Sequence, residues 1–158
     1  MDTLVSLEAA DSQHGNYQPS AEKLNTALKT DPNSVPVHYL LGLNYYRMKN
    51  FPAAVEQFQR VIELSPDYTL ALFYLGVAYG HTGQIDQSIS TLKRALELDP
   101  TNFIAAYDLG VAYLQKKMTN EAAAAFREAL SIADEYAPAH RSLGEVLLDQ
   151  GQIDGAIA

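Results

Sequence analysis

The pentapeptide LGVAY occurs at Leu75–Tyr79 and again at Leu109–Tyr113, 34 residues further along. Another step of 34 in each direction finds LGLNY at Leu41–Tyr45 and LGEVL at Leu143–Leu147. Four occurrences at one interval make this a repeat protein. A chain of that kind buries its apolar surface between neighbouring repeats rather than around one central core.

With Val35 as position 1, the other columns follow. Position 7 holds Leu7, Leu41, Leu75, Leu109 and Leu143, and position 8 holds Glu8, Gly42, Gly76, Gly110 and Gly144. Position 11 holds Asp11, Tyr45, Tyr79, Tyr113 and Leu147. Small residues recur at position 20 (Ser20, Ala54, Ser88, Ala122), Leu24, Phe58, Leu92 and Phe126 at position 24, and Ala27, Val61, Ala95 and Ala129 at position 27. Position 32 is Pro32, Pro66, Pro100 and then Asp134.

Each column has a physical reason. Leu at 7 and Tyr at 11 are four apart and share one helix face. Gly at 8 costs about 1 kcal/mol of helix propensity against Ala, which close approach of a second helix, with small residues at 20 and 27, would offset. Polar stretches such as His81–Gln84 and Gln115–Met118 divide each repeat into two amphipathic segments. Proline disfavours helical geometry at the residue before it, so Pro32, Pro66 and Pro100 stop the second segment. Asp134 lacks that brake, and the helix starting near Asn120 is expected to run on to about Glu135. Each repeat therefore reads as a helical hairpin.

These columns resemble the tetratricopeptide repeat pattern of Leu 7, Gly 8, Tyr 11, Ala 20, Phe 24, Ala 27 and Pro 32, in uninterrupted phase along the whole chain. The resemblance implies an all-α fold, a right-handed superhelical solenoid of antiparallel helix-turn-helix 34-residue repeats. It implies one domain over 1–158, with repeats 1–34, 35–68, 69–102, 103–136 and a partial 137–158. Glu8 and Asp11 suit a terminal repeat with a wetter face. Position 4 carries Leu4, His38, Leu72, Ala106 and His140 rather than Trp. The stop within the fifth repeat is expected of a fragment of a longer protein.

Composition narrows the function. A net charge of -8 opposes nucleic-acid binding, which needs clustered cations. Lys93-Arg94 and Lys116-Lys117 read as solvated faces. Without cysteine there is no disulfide or thiolate chemistry. No apolar run suits a membrane helix. No basic and apolar leader opens the chain, which weakly favours the cytoplasm. The histidines, His14, His38, His81 and His140, have no second ligand or base in an obvious arrangement, so no metal site, cofactor or catalytic residue is expected, and the chain reads as non-enzymatic.

The resemblance also implies a concave face formed by positions 2, 5, 9, 12 and 13 of each first helix. Here it carries Tyr39, Leu43, Tyr46 and Arg47; Phe73, Val77 and His81; and Tyr107, Val111 and Leu114. Tyr39, Phe73 and Tyr107 in register would make a larger apolar patch than a surface normally leaves open. The expected function is thus a protein-protein interaction scaffold whose apolar, aromatic groove binds a peptide or partner protein. Only Arg141 and Asn44 approach the Lys, Asn and Arg set with which some relatives hold a C-terminal carboxylate, so a chaperone tail is not expected. Two alternatives stand beside this reading. One is homo-oligomerisation through the partial fifth repeat, where Ile153 and Ile157 lack a covering helix. The other is a targeting region of a larger enzyme.

Overall fold

The computed structural model describes residues 15–151. Among them are eight α-helices and no strand: α1 (Tyr17–Thr30), α2 (Val35–Arg47), α3 (Phe51–Leu64), α4 (Thr69–His81), α5 (Ile85–Leu98), α6 (Phe103–Gln115), α7 (Thr119–Ile132) and α8 (Ala137–Asp149). The segment expected to form the first helix of the first repeat, with Leu7, Glu8 and Asp11, and the end of the fifth, with Ile153 and Ile157, lie outside the described residues, as does His14. The chain divides into two compact halves between Gly83 and Gln84. In the N-terminal half α1 packs on α2, α2 on α3 and α3 on α4. In the C-terminal half α5 packs on α6, α6 on α7 and α7 on α8.

The repeat is reproduced residue by residue. First helices end at Arg47, His81, Gln115 and Asp149, always position 13. Second helices end at Thr30, Leu64, Leu98 and Ile132, always position 30. The hairpin turn follows from one backbone requirement at position 15. Gly15, Lys49, Gly83, Lys117 and Gly151 all have positive φ, between 58° and 84°. At Lys49 the amide donates to the Tyr46 carbonyl and the next amide, Asn50, to Tyr45, each at 2.9 Å. Lys117 and Met118 repeat this on Leu114 and Tyr113, again at 2.9 Å. This paired closure of a helix end needs a left-handed residue, which glycine supplies without steric cost and lysine does not.

The expected run of α7 to Glu135 does not occur. The helix stops at Ile132, and Ala133 takes φ -131° and ψ 85°, close to Asp31, Ser65 and Asp99 at the other three stops. Packing against the next helix sets the boundary even without proline. A histidine at position 4 helps to hold that connection. His38 Nε2 meets the Pro32 carbonyl at 2.9 Å, and His140 Nε2 meets that of Asp134 at 2.6 Å. The Gln57 carboxamide closes on the other ring nitrogen of buried His38 at 2.8 Å.

The glycine at position 8 finds its compensation in the ring at position 24. A Cβ on Gly42 would stand 2.8 Å from Phe58, and one on Gly110 2.5 Å from Phe126. Both rings are fully buried, and Ala54 and Val61, or Ala122 and Ala129, are buried on the same helices. The small residues let the helices meet, while the phenylalanine fills the space vacated by the missing side chain. Tyrosines at position 11 tie α2 and α4 to the preceding second helix. Asn25 Nδ2 donates to the Tyr45 hydroxyl at 3.2 Å, and Gln59 Nε2 to that of Tyr79 at 2.7 Å.

Candidate functional site

In the N-terminal half, α2 and α4 present the residues expected to meet a ligand. Their burial follows the period of the helix. Leu41 and Leu75 turn into the core, while Tyr39, Leu43, Tyr46, Phe73 and Val77 are half-buried and Arg47 and His81 exposed. Tyr39, Leu43 and Tyr46 lean on the core cluster that includes Phe58 and Leu75.

The aromatic rings form a connected set. The Tyr39 ring lies 4.9 Å from Tyr68 and 6.1 Å from Phe58. Tyr46 meets Tyr74 and Phe51 edge-on at 5.3 and 5.6 Å. Phe51 stacks on His81 at 4.0 Å, and Phe73 touches Tyr74 at 5.0 Å. The Arg47 guanidinium sits 5.6 Å over the Tyr17 ring. Burial, then the neighbouring Tyr74 and Tyr68, push the Tyr39 phenol well above its ordinary range, with Arg47 opposing, so it remains a neutral hydroxyl.

In the C-terminal half, α6 carries Tyr107, Val111 and Leu114, all half-buried and packed on a cluster that contains Ala122, Ala123, Phe126 and Val146. Tyr107 lies 5.5 Å from Phe126 and stands edge-on to Tyr136 at 5.4 Å and 88°. Phe103 meets Tyr136 at 5.1 Å and 69°. The residue after Tyr107 is Asp108, a half-buried carboxyl that burial pushes up to about 7.

Several of these residues fall outside the positions marked by the repeat columns. Tyr68 and Tyr136 both occupy position 34 and both pair with a tyrosine at position 5 of a first helix. That recurrence is present in the sequence. Phe51, Tyr74 and Asp108 have no such signal. The exposed large apolar side chains are Leu70 (52%) and Ile104 (41%) at position 2, Leu148 (54%) at position 12, and Leu98 (43%) and Ile132 (39%) at the ends of second helices. Asn44, one of the two residues nearest a carboxylate-binding set, is fully buried and donates to Ser20 Oγ at 2.8 Å. Arg141 is exposed.

Among the described residues no group of three His, Asp or Glu side chains could hold a metal ion, and no helix is long and apolar enough to cross a membrane.

Compared with known families, the chain matches the tetratricopeptide repeat model over residues 39–102 and 79–139. No curated protein matches it. Among solved structures, a crystal structure of MamA superposes with a TM-score of 0.91 at 25% identity, over 95% of this chain and 88% of that one. The 41-end portion of MamA from Desulfovibrio magneticus RS-1 gives 0.92 at 18% identity, over 99% and 88%. YrrB, described as a TPR protein with an unusual peptide-binding site, gives 0.86 at 18% identity, over 98% and 79%. These likenesses place the chain among all-α helical repeat solenoids.

Proposed function

Because the chain belongs to the tetratricopeptide repeat family and is a protein-protein interaction scaffold, we propose that it recruits its partner by holding an apolar peptide segment against its first helices. The observation that carries this reading is made in each half by itself: Leu70 is exposed in the N-terminal half and Ile104 in the C-terminal half. They occupy the same position of successive repeats, are about half open to solvent, and share their helices with half-buried Phe73 and Tyr107. Exposed apolar side chains flanked by aromatic rings are the usual composition of a binding surface. The rings are already held by neighbours, Tyr39 by Tyr68 and Tyr107 by Tyr136. A ligand therefore meets them with little rotamer entropy left to lose. The extended peptide or amphipathic helix best suited to such a face has apolar anchors at regular spacing.

Selection of a displayed random peptide library on the 158-residue chain, followed by titration of the enriched peptides, tests this. Leu70→Glu/Ile104→Glu is the informative variant, because both side chains are exposed and the charges need not enter the core. Its helix content and melting temperature should match the parent while peptide affinity falls at least tenfold. Tyr39→Glu/Tyr107→Glu is expected to lose binding too. It is the weaker probe, since both rings pack on buried phenylalanines. Unchanged affinity in the Leu70→Glu/Ile104→Glu variant would refute the reading.

A further inference from the structure

The carboxylate of Asp108 has no counterpart in the N-terminal half. Position 6 is Leu40 on α2 and Tyr74 on α4. Asp108, which follows Tyr107 on α6, is half-buried, and no hydrogen bond or ion pair engages it among the described residues. Arg141 on α8 is exposed and makes no ion pair with it. A carboxylate withdrawn from water without a partner is costly. Burial is the one cause that raises Asp108, and Asp108 itself, after burial, raises the phenol of Tyr136. The acid and that ring therefore lie within one another's field. Phe103 and Tyr107 complete an aromatic wall, both edge-on to Tyr136.

We infer that Asp108, Tyr107 and Tyr136 form a subsite for an arginine side chain of the bound peptide. This rests on the proposal that the first helices carry the peptide. An unpaired carboxylate next to aromatic faces calls for a cation. A guanidinium suits it better than an ammonium, because its flat face lies against a ring while its edge presents parallel donors to a carboxylate. The chain makes half of this arrangement already, with Arg47 over Tyr17. The net charge of -8 favours a basic partner on approach. The partner segment is then apolar with one arginine, an apolar residue resting on Ile104 and the arginine on Asp108.

The test uses peptides enriched by the full chain from a random displayed library. Enrichment of arginine beside apolar residues is expected. Replacement of that arginine by citrulline, which keeps the shape and removes the charge, should weaken binding at least tenfold, and replacement by lysine should weaken it severalfold. In Asp108→Asn the arginine and citrulline peptides should bind alike. Enriched peptides that are apolar without a basic residue, yet still depend on Leu70 and Ile104, would overturn the arginine subsite and leave the peptide-binding face standing. The subsite is likewise overturned if citrulline or lysine is tolerated, or if Asp108→Asn still prefers arginine. Enriched peptides indifferent to Leu70→Glu/Ile104→Glu would overturn both.

Discussion

Gly110→Ala probes the packing between the two helices of a repeat with a single methyl group. A Cβ at that position would stand 2.5, 2.7 and 3.0 Å from three carbons of the Phe126 ring. Carbon atoms in good contact are about 3.5–4 Å apart, so the ring or a helix must move by about 1 Å. Phe126 is fully buried and clusters with Ala122, Ala123 and Val146, so the ring can move only by displacing its neighbours. Overpacking of this kind costs about 1–3 kcal/mol, and a displacement this large belongs at the upper end. The alanine returns about 1 kcal/mol of helix propensity, leaving a net loss of about 2 kcal/mol.

In a chain of this length that loss lowers the melting temperature by about 4–8 °C, read by circular dichroism in the far-ultraviolet helix band. Gly144→Ala is the matched control, since among the described residues nothing lies within 4 Å of its added Cβ. It should gain about 0.5–1 kcal/mol. Combining Gly110→Ala with Phe126→Leu should cost less than the sum of the two single changes by more than about 0.5 kcal/mol. If Gly110→Ala proves as stable as the parent, the ring is not what the glycine accommodates.

Asp108→Asn should change how stability depends on pH. The folded carboxyl titrates near 7 against an ordinary 3.8, so the folded chain holds a proton that the unfolded chain releases between those values. The parent's stability contribution from this group is complete below about pH 4 and is lost as pH rises through 7. The variant should therefore match the parent at about pH 3.5 and exceed it by about 1–3 kcal/mol at about pH 8, partial exposure reducing the full shift. Denaturant melts at both pH values measure this, and equal differences would refute it. Lys117→Gly relieves a left-handed φ of 62° and should stabilise by about 0.5–1 kcal/mol after glycine's own entropy cost. Lys116→Gly, one residue earlier at φ -91°, should destabilise, and the opposite order would contradict the turn assignment.

Much of the fold is legible because the repeat writes each contact several times over. Leu at 7, Gly at 8 and Phe at 24 are local and periodic, and they fall where the columns place them. The stop at Ile132 was not legible. A missing proline removes one signal, while the real cause is packing against the following helix together with the loop carbonyl held by His140. The left-handed residue at position 15 hides because two of its five members are lysine, and the need for positive φ is a property of the backbone closure.

The aromatic face is only partly legible for a related reason. Tyr39 and Tyr107 stand out at position 5, but the rings that orient them, Tyr68 and Tyr136, reach them through the geometry of the connection at positions 31–34. Asp108 breaks its own column, and its meaning depends on burial that no spacing rule encodes.

The central claim is that peptide binding belongs to the first helix of each hairpin. Backbone amide chemical shifts of the full chain, recorded as an enriched apolar peptide is titrated in, test it most directly. The account predicts that the largest changes gather on α2, α4 and α6, around Leu70, Phe73, Ile104 and Tyr107. Changes concentrated instead on α3, α5 and α7 would contradict it.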